Sequence, residues 1–251
     1  MDDRTCALSG RALITGGTRG IGRAISWRFA RAGASVIANY IRDQKSADAL
    51  KAAADQEGLS IELCRADLTT AQGLEQIHKS VGEQPLSALV HCAATGVHRS
   101  LAELTSRHFD WTFALNVRAF LELAQALSAQ LSNPSSIVAV SSMGASRALP
   151  YYSLVGSSKA ALESLARHLA VELAPRGIRV NILVPGTVET EAWNALPERD
   201  ERLAAAARQS AIGRLVTPDE VAAAAQFLCS DAASGIVGQT LIVDGGSGIR
   251  G

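Results

Sequence analysis

Ala12-Leu13-Ile14-Thr15-Gly16-Gly17-Thr18-Arg19-Gly20-Ile21-Gly22 is a short apolar run that ends in a glycine-rich turn. A helical pattern follows through Ile25, Phe29 and Ala32. Gly33 stops it, and a second apolar run, Ser35-Val36-Ile37-Ala38, comes next. Strand, turn, helix and strand in that order begin a parallel sheet. Glycines let the backbone turn tightly and approach a pyrophosphate, and the helix N-terminus adds N–H donors and the positive end of a dipole. The glycines are spaced Gly-x-x-x-Gly-x-Gly, not the Gly-x-Gly-x-x-Gly of the common dinucleotide fingerprint. Taken alone, the turn also reads as a plain strand–helix connection.

The alternation continues outward. Strands are expected at Ile61–Cys64, Ala88–His91, Ser136–Val140, Arg179–Leu183 and Thr240–Val243. Between them the spacing predicts helices at Ser46–Ala54 and Ala71–Val81, a long helical region over Leu101–Leu131, and a helix from Tyr152 to Ala174. Residues 187–213 are polar and charged, with a short helix at Arg202–Arg208. They read as a lid over the substrate, with Trp193, Leu196 and Leu203 either lining it or forming its own core. A capped helix begins at Thr217-Pro218-Asp219-Glu220, where Thr217 is the N-cap, Pro218 the first helical residue and Glu220 the partner in a capping box. The expected architecture is α/β: one doubly wound, Rossmann-type domain over 1–251, with a parallel sheet of about seven strands and helices on both faces. Ligands of such sheets bind at the carboxyl ends of the strands, where every polar motif below falls.

Composition narrows the class. The 24 basic and 24 acidic residues balance, so no global field draws nucleic acid or an anionic membrane. Cys6, Cys64, Cys92 and Cys229 are widely spaced with no CxxC pair, which points to buried free thiols in a reducing compartment and to no metal site. The charged start Met1-Asp2-Asp3-Arg4 does not read as a signal peptide, and no run has the ~18 apolar residues of a membrane helix. A cytoplasmic protein is expected.

Several strand ends carry candidate binding groups. Asn39-Tyr40-Ile41-Arg42 has no acid for an adenosine ribose. Arg42 and Arg19 instead suit a 2′-phosphate, or are simply solvated. Asp67 either accepts from an adenine amine or caps the next turn. His91-Cys92-Ala93-Ala94 has small residues that let backbone approach a ligand, with His91 read as a polar strand end.

The fifth strand leads to Ser141-Ser142 and then to Tyr151-Tyr152-Ser153-Leu154-Val155-Gly156-Ser157-Ser158-Lys159. Hydroxyls at a strand end, then a phenol and an amine on a helix, suggest proton transfer. A phenol has a reference pKa of about 10, which a nearby ammonium can lower. The residue four before Lys159 is Val155, which has no proton to give. Tyr152, seven before, returns to the same helix face at longer reach. The competing reading is a helix-start aromatic and a solvated lysine.

Together, Thr15-Gly16-x-x-x-Gly20-Ile21-Gly22, Asp67, Leu115-Asn116-Val117, Ser142, Lys159, Pro185-Gly186 and Val243-Asp244-Gly245-Gly246 resemble the short-chain dehydrogenases/reductases over about residues 11–246. That family's usual tyrosine stands four before the lysine, where this chain has Val155. Gly144-x-x-Arg147-Ala148-Leu149-Pro150-x-Tyr152-x-x-Val155-Gly156-x-Ser158-Lys159 looks like the enoyl-acyl-carrier-protein reductase branch, in the type called enoyl reductase III, whose tyrosine is seven before. Two departures stand out: His91-Cys92-Ala93-Ala94 replaces the family's Asn-Asn-Ala-Gly, and Ser142 stands where several branch members have a second tyrosine.

The resemblance implies NADPH-dependent reduction of the 2,3 double bond of an acyl-carrier-protein or coenzyme A enoyl thioester in fatty-acid or related biosynthesis. Tyr152, Lys159, Ser142 and Asn116 would be catalytic. Gly16, Thr18, Arg19, Gly20, Ile21, Gly22, Tyr40, Arg42, Asp67, Leu68, Ala93, Lys159, Pro185, Gly186 and Thr187 would hold the cofactor. A homotetramer or homodimer is implied as well. The alternatives are a carbonyl reductase using Tyr152 or Tyr151, and an NADPH-binding protein that turns nothing over.

Overall fold

A computed structural model describes residues 7–191 and 198–249. Seven strands form one parallel sheet: β1 (Arg11–Thr15), β2 (Ser35–Tyr40), β3 (Ile61–Arg65), β4 (Leu86–His91), β5 (Leu131–Val140), β6 (Ile178–Pro185) and β7 (Thr240–Val243). Their spatial order is β3-β2-β1-β4-β5-β6-β7, so the order reverses between β1 and β4. Chains leaving the carboxyl ends of those two strands diverge to opposite sides, which opens a crevice there.

Among the described residues eight α-helices connect the strands: α1 (Gly20–Arg31), α2 (Gln44–Gln56), α3 (Ala71–Val81), α4 (Ser106–Phe113), α5 (Ala119–Ala126), α6 (Ser153–Leu173), α7 (Arg199–Gln209) and α8 (Pro218–Cys229). Side chains alternate across the strands, so each face of the sheet builds its own core. Ala12 and Ile14 of β1 pack with Ile25 and Phe29 of α1, Leu50 of α2 and Val221 of α8. Leu13 packs on the other face with Ile77 of α3, Phe120 of α5 and Leu162 of α6. Burying such a side chain contributes roughly 1.5–3 kcal/mol, so both layers are held by apolar burial.

The capping box of α8 forms as its sequence predicts, with Thr217 and Glu220 exchanging side-chain and backbone hydrogen bonds. The region Leu101–Leu131 departs from expectation, because it is not one helix. Ser100 and Glu103 close a single 3-10 turn, Thr105 caps α4, a π-helical stretch covers Ala114–Arg118, and α5 ends at Ala126. Leu131 already belongs to β5, paired with Leu86. The run of leucines has helical spacing throughout, and tertiary pairing with β4 claims its end. The short helix expected at Arg202–Arg208 is the longer α7, with Leu203 buried. Trp193 and Leu196, like Cys6, lie outside the described residues.

Among the described residues no helix is long and apolar enough to cross a membrane. No group of His, Cys, Asp or Glu among them is arranged to hold a metal.

Candidate active site

The crevice at the β1–β4 divergence is a cleft of about 540 Å³, within the ~300–1,000 Å³ usual for small-molecule sites. Its floor is the glycine-rich turn. Gly16 and Gly20 have φ of +63° and +53°, a region most side chains avoid. A Cβ on Gly22 would stand 2.1 Å from the Gly16 carbonyl oxygen, and one on Gly16 would stand 3.0 Å from Ala93 Cα. The turn is therefore closed to side chains and presents bare backbone at the start of α1, which suits a pyrophosphate. Thr18, Arg19, Ile21, Tyr40, Arg42, Leu68 and Ala93 line the same cleft.

Asp67 lines the cleft too, but its carboxylate accepts from Thr69 N at 2.9 Å and Thr69 Oγ1 at 2.7 Å, so it caps the turn before α3. Tyr40 is buried, and its phenol donates to Gln44. Asp43 is the one acid beside Arg42 in the chain, and it is engaged: it accepts from Ser46 N and Oγ to cap α2. Arg19 and Arg42 are exposed and, among the described residues, enter no ion pair.

Pro185, Gly186 and Thr187 do not line the cleft. They stand at the end of β6, where Gly186 N donates to Val243 O. Thr190 and Glu191 line it instead, and Thr190 Cγ2 lies 3.3 Å from a Cβ built on Gly20. The sequence offered no signal for these two beyond their position just past Pro185-Gly186.

His91 proves to be an organiser of the cleft wall. Thr15 Oγ1 accepts from both Cys92 N and Ala93 N at 3.0 Å, so its proton is directed to His91 Nδ1 at 3.2 Å. The ring must then be protonated at Nε2, which donates to Leu115 O at 3.2 Å. Burial, helped by the Lys159 charge, pushes His91 down to about 3, so it is neutral. Asn116, in the π-helical stretch, donates to Thr95 O and Ser158 Oγ and accepts from Thr95 N. It joins the cleft loop to α6.

Beyond that joint, Tyr152 caps the start of α6, and its phenol lies 3.1 Å from Ser142 Oγ. Gly144 makes room for the ring, because a Cβ there would come within 2.4 Å of Tyr152 Cε1. His98 stacks on the ring at 5.3 Å between centroids and 11° between planes, a contact the sequence did not signal. Burial raises the Tyr152 phenol, opposed by the hydrogen bond to Ser142, so the group is protonated at neutral pH. The residue at the position four before Lys159, Val155, is buried, and its Cγ2 packs against Gly96.

Lys159 is 4% exposed, and its ammonium donates to Val140 O at 2.8 Å. Burial pushes it down to about 8, opposed by Cys92 and Glu163. The expected lowering of Tyr152 by Lys159 is not found: seven residues of helix separate the two by about 10 Å along the axis, and Lys159 turns to β5.

The enoyl-(acyl carrier protein) reductase family model matches residues 16–248. The 1-cyclohexenylcarbonyl-CoA reductase of Streptomyces collinus is 34% identical over 242 residues, covering 95% of this chain and 86% of that protein. The L-xylulose reductase of Bos taurus is 35% identical over 239 residues, covering 94% and 95%. A short-chain dehydrogenase from Burkholderia cenocepacia in complex with NADP superposes with a TM-score of 0.83 at 34% identity, covering 95% of this chain and 98% of that one.

Proposed function

The chain belongs to the short-chain dehydrogenase/reductase family of oxidoreductases, and from that premise we propose that it uses NADPH to reduce the 2,3 double bond of an enoyl thioester. One observation carries the reading: the phenol that meets Ser142 is that of Tyr152, seven before Lys159, while the position four before is an apolar, buried Val155. The acyl chain would ride on acyl carrier protein or coenzyme A, as in fatty-acid or related acyl-chain biosynthesis. The preference for NADPH rests on Arg19 and Arg42 at the cleft and on the occupied carboxylate of Asp43. Arginine pairs with a phosphate through parallel N–H donors.

When bound, the reduced nicotinamide supplies the hydride that the β-carbon accepts. Negative charge then gathers on the thioester oxygen, two carbons further away than in carbonyl reduction. A tyrosine displaced by most of a helical turn meets the oxygen there. Tyr152 is protonated and desolvated, so it can donate to that enolate oxygen, and Ser142 holds its phenol in place. Lys159 would hold the ribose end of the cofactor, and Asn116 fixes the loop between cleft and helix. The same reading makes the chain a homotetramer or homodimer through the outer faces of α4 to α6, where Phe109 and Val171 are exposed.

A second reading, carbonyl reduction, is favoured by the retained Ser142–Tyr152 pair and by the likeness to L-xylulose reductase. The test is NADPH consumption with a 2-enoyl and a 3-oxoacyl thioester in parallel. Enoyl reduction alone, lost by about 10²-fold or more in Tyr152→Phe, supports the proposal. Reduction of the oxo substrate alone overturns it.

A further inference from the structure

Ser141 precedes the serine that meets Tyr152, and its own side chain turns the other way. Its Oγ donates to Glu163 Oε1 at 2.6 Å, while its backbone N donates to Leu183 O. Ser141 is therefore fixed on both sides, and Ser142 follows it. Glu163 lies four residues after Lys159, on the same face of α6. Its side chain is only 16% exposed, and Arg167, one turn further on, stands 3.8 Å away. Nothing in the mechanism above uses it.

We propose that Glu163 is a positioning residue of the active site: its carboxylate holds Ser141, and with it Ser142 at the tyrosine, and stands one helical turn from the buried Lys159 ammonium as its counter-anion. The groups that face Lys159 can be taken element by element. His91, from β4, is neutral. Cys92, just beyond β4, has its thiol pushed up to about 11 by burial, so it is uncharged at neutral pH. Val140 of β5 offers a carbonyl. Among the described residues Glu163 is left as the anion acting on Lys159, with Arg167 tempering it. Burial otherwise favours loss of the lysine proton near physiological pH.

The inference rests on the reading of Lys159 and Tyr152 as active-site groups, but its test needs no substrate. The chain has four lysines, Lys45, Lys51, Lys79 and Lys159, so lysine 13Cε resonances can be followed one by one through a pH titration. Lys159 should titrate near 8, apart from the others. Glu163→Gln should move that midpoint down by about half a pH unit or more, as expected from removing a nearby charge. Glu163→Asp, which keeps the charge, should leave it close to the parent. Arg167→Gln, at a half-exposed site, should move it up. An unchanged midpoint in a folded Glu163→Gln protein overturns the proposal. If that variant does not fold, an unchanged or lowered midpoint in Arg167→Gln does the same. Loss of enoyl reduction in the parent chain would sink the reaction assigned above and leave these midpoints unaffected.

Discussion

Acid should destabilise this protein through one buried ring. His91 lies at the end of β4 with Nδ1 accepting from Thr15 and Nε2 donating to Leu115, and it is held neutral with its pKa near 3 against 6.5 when free. The unfolded chain binds the proton first, so His91 contributes stability that is full above 6.5 and drains away as pH falls towards 3. Each pH unit in that window costs about 1.4 kcal/mol. Between pH 7.5 and 5.0 the loss is about 2 kcal/mol, a fall in Tm of about 4–8 °C for a chain of this size. The control is His91→Asn, which keeps a donor and an acceptor but does not titrate. His78, His98, His108 and His168 remain in both proteins, so their contributions cancel. Urea unfolding of both proteins at the two pH values gives the stability gap between them. The gap should shift by about 2 kcal/mol against the parent on acidification. A gap that stays constant would show that His91 is not buried neutral, and the hydrogen-bond assignment around Thr15 would fall with it.

Three further outcomes follow from the same geometry. Val155→Tyr restores the usual family spacing, but Gly96 already packs on Val155. The variant should lose about 1–3 kcal/mol by overpacking and gain no 3-oxoacyl reduction, so a stable variant with that activity would refute the packing argument. Tyr151 is 58% exposed and sits at φ +59°. Tyr151→Asn should raise stability by about 0.5–1 kcal/mol, since asparagine tolerates the left-handed region better, and a lowered Tm in calorimetry would count against this. Arg42→Ala should weaken NADPH binding about tenfold or more while leaving NADH binding unaltered, and equal losses for both cofactors in fluorescence titrations would refute the phosphate assignment.

Seven strands were legible because each is a short apolar run bounded by turn residues, and the glycine-rich turn showed where the cleft opens. The break within Leu101–Leu131 was not. A π-helical stretch depends on what Asn116 bonds to, and that partner, Thr95, is remote in sequence. The same holds for Asp67, whose capping role is set by Thr69, and for Tyr40, whose phenol is taken by Gln44. His91 looked like a polar strand end because its partners come from β1 and the π-helical stretch. Spacing alone made Tyr152 a candidate, and the resemblance of Gly144–Lys159 to the enoyl-reductase branch singled it out. That Lys159 faces β5 was not, because helix periodicity gives a side chain's face but not its reach.

The space that Gly144 leaves for the Tyr152 ring has a use in sorting sequences. A chain that moves its tyrosine three residues back along the helix needs more than the new tyrosine. It needs a vacant Cβ eight positions earlier, a small apolar side chain where the old tyrosine stood, and a glycine in the loop that closes over it, here Gly144, Val155 and Gly96. These three positions should vary together. A chain with Tyr-x6-Lys but a bulky residue at the first of them would be a chance spacing, with its phenol shut out of the site.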